Sequence, residues 1–170
     1  MQELTPPLLC LLVEDSPLVG LDLADALDGR GYYVAGPFPC GREAAKWLTR
    51  FTPDVAIVDL TLRDGRCLDV IRILKARAIP FLFYSGWPVD QRPFDVPSDV
   101  PWLMKPISTD SIDRALRELL SEAAPKADRY HVRVQQTNHV DPTQKQPSVE
   151  VARNVENSIF RPTTCGHKHG

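Results

Sequence analysis

The sequence predicts an α/β domain: a parallel sheet covered by helices on both faces. Short apolar runs of strand length alternate with segments whose apolar residues recur every three or four positions. The run VAIV (55–58) is apolar at every position, as a strand buried on both faces requires. It meets a carboxylate, Asp59, at its end. An acid there is costly unless something pairs with it.

Taken in order, LLCLLV (8–13) reads as the first strand. After Pro17, Val19, Leu23, Ala26 and Leu27 define a helix over 18–29, stopped by Gly29 and Gly31. YYVAG (32–36) is the second strand, and Cys40 to Arg50 the second helix, with Ala44, Ala45, Trp47 and Leu48 facing inward. VAIVD is the third strand, followed by a helix from Cys67 to Ala78. IPFLFYS (79–85) and VPWLMK (100–105) are the fourth and fifth. Ser108 or Thr109 can cap a last helix in which Ile112, Ala115, Leu116, Leu119 and Ala123 recur at helical steps. Where a helix is due between Ser85 and Val100, Pro88, Pro93 and Pro97 stand too densely, so a loop or one short turn is expected.

A chain of 170 residues, 43% hydrophobic and 25% charged, suits one soluble globular domain. No apolar run approaches the length of a membrane span, and no basic region leads into LLCLLV, so neither an anchor nor a secretory signal is expected. Cys10, Cys40, Cys67 and Cys165 are scattered without a CxxC pair, which points to a reducing compartment, the cytoplasm. Residues 1–124 carry a net charge of −5 and residues 125–170 one of +3. The C-terminal stretch is rich in Gln, Asn, Thr and Pro and lacks aliphatic periodicity. It reads as a disordered tail with at most a marginal strand at His131 to Val134. Its His131, His139, Cys165, His167 and His169 are too dispersed for a specific metal site. Its charge comes without a basic run, and no helix-turn-helix pattern follows residue 124, so no DNA-binding domain is expected.

In open parallel sheets, ligands bind just outside the carboxyl ends of the strands. There stand Glu14 and Asp15, Asp59, Ser85, and Lys105 with Pro106. Carboxylates beside a backbone carbonyl suit a hard cation such as Mg²⁺. A lysine and a hydroxyl can hold a phosphoryl group, and an aspartate can accept one.

The order VED…VDL…YSG…MKP resembles the receiver domain of two-component response regulators over about residues 8–123. The resemblance implies the flavodoxin-like strand order 2-1-3-4-5 with a degenerate fourth helix. It makes Asp59 the phosphoacceptor, Glu14 and Asp15 the acidic pair (with Glu in place of the commoner Asp), and Thr61 the carbonyl donor to Mg²⁺. Ser85 becomes the switch hydroxyl, Lys105 the phosphate-pairing lysine, and Pro106 the residue after a cis bond. Trp102 holds the aromatic switch position, although a core-edge aromatic explains it equally well. PFLFYSGW (80–87) is similar to the PFxFATGY signature of single-domain receivers of alphaproteobacteria, with Tyr84, Ser85 and Trp87 replacing Ala, Thr and Tyr.

The expected function is a stand-alone receiver. It is loaded by a histidine kinase or phosphotransfer protein, signals to a downstream protein partner, and is no enzyme beyond weak self-dephosphorylation. The alternative is a receiver-like scaffold that binds its partner without phosphorylation. A phosphatase of the aspartyl-phosphate type is disfavoured, since Leu60 and Thr61 follow Asp59 where a second catalytic acid would stand.

Overall fold

The computed structural model describes residues 6–123, apart from 66, 67 and 94. By contacts the chain divides into Met1–Glu122 and Ala123–Gly170. The expectations for the C-terminal segment, and for Cys67 as a helix start, lie outside the described residues.

Ten short elements build the first unit. They are β1 (Leu8–Val13), α1 (Pro17–Asp28), β2 (Tyr32–Phe38), α2 (Gly41–Leu48), β3 (Val55–Val58), α3 (Leu68–Ala76), β4 (Phe81–Ser85), a 3₁₀ turn at Val89–Gln91, β5 (Trp102–Met104) and α4 (Thr109–Glu122). The five strands run parallel in the order β2-β1-β3-β4-β5, the flavodoxin-like order.

Strand side chains alternate between faces, and the two apolar clusters follow that alternation. Leu11, Val13, Ala56, Val58, Phe81 and Phe83 pack with Ala44, Leu48, Val70, Ile71 and Leu74 under α2 and α3. Cys10, Leu12, Val55, Ile57 and Leu82 pack with Leu23, Leu27, Ile112 and Leu116 under α1 and α4. Complete burial pushes the Cys10 thiol up to about 12, with the Asp54 charge adding to the effect, so it behaves as a small hydrophobe.

Helix ends follow local chemistry. Pro17 opens α1, where a missing N–H costs nothing. Ser108 rather than Thr109 caps α4, its Oγ accepting the Ser111 N–H at 3.3 Å. Cys40 provides no side-chain cap for α2. Instead Asp64, from the loop after β3, accepts the Gly41 and Arg42 N–H groups at 3.0 and 3.1 Å.

Four strands differ in their bounds from the sequence reading, and β4 begins at Phe81 rather than Ile79. β3 stops at Val58, leaving Asp59 just beyond it, and β5 holds three residues rather than six. β2 continues through the cis Gly36–Pro37 bond to Phe38, with an irregular register against Val13. Gly36 has φ +125°, and a Cβ there would lie 2.4 Å from the Leu12 carbonyl oxygen. Gly20 meets the same corner, since its Cβ would stand 2.6 Å from that of Pro37. α1 therefore seats directly on β2 beside the end of β1.

Candidate functional site

The carboxyl ends of β1, β3, β4 and β5 deliver Glu14, Asp59, Ser85 and Lys105 to one rim. Backbone bonds fix each one. The Glu14 N–H donates to the Phe38 carbonyl at 3.0 Å, the Asp59 N–H to the Val13 carbonyl at 2.9 Å, and the Lys105 N–H to the Ser85 carbonyl at 2.8 Å. Glu14, Asp59 and Ser85 are the buried polar residues of the described domain, at 2%, 4% and 0% exposure.

Lys105 bridges the two buried acids. Its Nζ donates to Glu14 Oε2 at 2.5 Å and to Asp59 Oδ2 at 2.7 Å. Beneath it lies the Tyr84 ring, with Nζ 4.9 Å from the ring centroid. Burial alone would lower the lysine's pKa, but the hydrogen bonds to Asp59 and Glu14 outweigh it and hold the ammonium above its ordinary range. The other oxygens of the acids have backbone donors: Ser16 N–H on Glu14 Oε1 and Thr61 N–H on Asp59 Oδ1, both at 3.0 Å. Asp59 survives burial because a cation and a backbone N–H both meet it.

Asp15 is half-buried at the rim. Its carbonyl accepts a long bond from the Arg63 guanidinium, 3.4 Å. Glu14, Asp15 and Asp59 each offer a carboxylate oxygen, and these lie within 4.8 Å of one another. Three acids and one ammonium carry a formal charge of −2. An all-oxygen donor set of that charge fits a hard divalent cation that keeps several waters. Thr61 is exposed at the same rim.

Ser85 Oγ accepts the Trp87 N–H at 3.3 Å. Trp102, half-buried on β5, donates from Nε1 to the Trp87 carbonyl at 3.0 Å and packs on Phe83, with ring centroids 5.6 Å apart. The Lys105–Pro106 bond is cis. The structure thus brings Glu14, Asp15, Asp59 and Lys105 into one pocket, with Ser85 joined to Lys105 through the backbone and linked to Trp102 by way of Trp87. Sequence reasoning missed Tyr84 under the lysine and Asp64 on α2. It also missed Arg92, whose guanidinium stands 4.8 Å from the Trp102 ring centroid. The absence of a capping side chain at Cys40 was the one local signal for Asp64.

The chain has the fold of the receiver domains of response regulators. Among solved structures it is similar to a response regulator receiver protein from Sinorhizobium medicae, at 20% identity and a TM-score of 0.63 over 69% of this chain and 98% of that one. It is also similar to the receiver domain of a sensor histidine kinase from Pseudomonas aeruginosa, which has a magnesium ion coordinated in its active site cleft. There the identity is 21% and the TM-score 0.59, over 68% and 98% of the two chains. In sequence it is 26% identical over 113 residues to the phyllosphere-induced regulator PhyR of Methylorubrum extorquens, covering 65% of this chain and 42% of PhyR. It is 32% identical over 62 residues to the chemotaxis protein CheY of Thermotoga maritima, covering 36% of this chain and 52% of CheY. The matched stretches span about half the length of these curated relatives. No family model matches the chain. Among the described residues no helix is long and apolar enough to cross a membrane.

Proposed function

We propose that the domain is a phosphoacceptor that takes a phosphoryl group on Asp59 from a histidine kinase or phosphotransfer protein in the cytoplasm. The observation that carries this reading is Asp59 itself, buried at a strand end, paired with Lys105 and set beside Glu14 and Asp15. A carboxylate oxygen of Asp59 attacks the phosphorus of a phosphohistidine. The P–O bond forms as the P–N bond breaks, and the histidine nitrogen leaves with the electron pair and picks up a proton. Lys105, already at Asp59, pairs with the incoming phosphoryl oxygens, and the Ser85 hydroxyl turns to donate to one of them. Glu14, Asp15, Asp59 and the Thr61 carbonyl are the groups that would hold Mg²⁺, which when bound neutralises charge on the transferring group. The modified state is read by a downstream protein partner, and self-dephosphorylation is slow.

Intact-mass measurement after incubation with Mg²⁺ and acetyl phosphate tests the reading. One phosphoryl mass should add to the wild type and not to Asp59→Asn. Failure with acetyl phosphate and with candidate kinases alike overturns it in favour of a phosphorylation-independent scaffold.

A further inference from the structure

We infer that Arg92 is a positioning residue, the latch by which the state of Ser85 is passed to the proline-rich segment between β4 and β5. The coupling half of this inference rests on the reading of Asp59 as phosphoacceptor; the latch itself does not. A continuous set of contacts runs from pocket to loop. Ser85 Oγ accepts the Trp87 N–H, and the Trp87 carbonyl accepts the Trp102 indole N–H. The Trp102 ring lies under the Arg92 guanidinium. Arg92 then turns back on its own segment, donating from Nη1 to the Pro97 carbonyl at 2.9 Å and from Nη2 to the Val100 carbonyl at 3.4 Å. One side chain therefore ties both ends of a prolyl loop to the strand that delivers Lys105.

The latch is built to be weak. The 3.3 Å bond at Ser85 and the 3.4 Å bond at Val100 are near the long limit. Arg92 Nε is buried and has no hydrogen-bond partner among the described residues. Such an unpaired N–H opposes the closed arrangement, because opening returns it to water. When the Ser85 hydroxyl turns toward a phosphoryl group, Trp87 loses its acceptor and the remaining contacts must hold alone. Release occurs beside exposed Trp87, Val89 and Met104, at 42%, 58% and 52% exposure. The change thus reaches an apolar surface of the kind a protein partner reads.

Hydrogen exchange by mass spectrometry on peptides spanning 89–101, with intact mass in parallel, separates the two halves. In the unmodified protein, Arg92→Ala should speed exchange there about tenfold, the effect of losing roughly one net hydrogen bond, while β1 and α4 peptides stay unchanged. Exchange within twofold of wild type overturns the latch whether or not Asp59 can be loaded. Arg92→Lys, which keeps the charge but not the fork, serves if the alanine variant does not fold, and the same criterion applies to it. In wild type that has gained the phosphoryl mass, peptides 89–101 should also speed up, and loaded Arg92→Ala should show no further change. Full loading with no change at 89–101 overturns the coupling. Absence of any added mass counts against the phosphoacceptor reading and, with it, the coupling, and leaves the unmodified comparison to decide the latch.

Discussion

The crossover from β3 to β4 carries α3, which buries Val70, Ile71 and Leu74 against the sheet. The crossover from β4 to β5 has no α-helix among its described residues. It reaches the same apolar cluster through Val96 and Val100, and its polar ties include Arg92 on Trp102 and on two carbonyls. One connection is secured by buried apolar area, which is non-directional and changes little when a single bond rotates. Its neighbour depends on a few directional contacts, which respond to the loss of any one of them. The pocket lies between these regimes, with Asp59 on the firm side and Lys105 delivered by the yielding one.

The largest expected effect tests what the yielding connection delivers. Lys105→Ala leaves Glu14 and Asp59 buried together without their shared cation and should cost about 3–5 kcal/mol in urea unfolding at pH 7. Because the folded-state pKa of Lys105 is raised, its contribution is complete below about 10.5. The gap between wild type and variant should stay flat to that pH and narrow only above it. A gap that closes between pH 6 and 9 would show that another group sets the pocket's charge.

Leu74→Ala in α3 should cost about 2–5 kcal/mol, as a cavity under a regular helix does. Val96→Ala, from the same cluster but on the loop, should cost only about 1.5 kcal/mol, near the transfer energy of the lost methyl groups. Equal costs from thermal melts would break the comparison, by showing that the loop packs as firmly as the helix.

The smallest effect concerns a tie between the two regions, the ion pair of Lys75 on α3 with Asp99 on the loop, 2.9 Å. The Lys75 hydrogen bond holds the Asp99 carboxyl below its usual 3.8. Its small contribution is therefore present above that pH and lost as pH falls through the lower folded value. Asp99→Asn should lower the melting temperature slightly at pH 7, and the difference should shrink only as pH falls below 3.8. In about 0.5 M salt the difference should also shrink, as an exposed pair is screened.

The two faces of the sheet were legible because they rest on patterns a strand or helix displays by itself. VAIV and LLCLLV are apolar throughout, Leu23 and Leu27 recur at helical spacing, and the acids and lysine stand at strand ends. Pro88, Pro93 and Pro97 likewise announced the missing helix. The illegible features all join residues distant in sequence or depend on backbone geometry. Asp64 caps a helix that begins 23 positions earlier. The extension of β2 through Gly36–Pro37 depends on how closely Leu12 and α1 approach it. Arg92 is a single arginine among prolines, and its partners become visible only when β5 lies beside the loop.

The bond from the Lys105 N–H to the Ser85 carbonyl has a further consequence. It extends the β4–β5 ladder, in which Ser85 pairs with Met104, so the hydroxyl-bearing and ammonium-bearing backbones are pinned side by side. The strands cannot slide apart to admit a ligand without breaking that ladder. Rearrangement within the pocket is thereby carried by rotation about side-chain bonds, whereas the segment between the strands shifts as a loop, over nanoseconds to microseconds. The clock of any response would then be kept by the proline-rich segment, and substitutions there would alter its tempo while leaving the chemistry at Asp59 untouched.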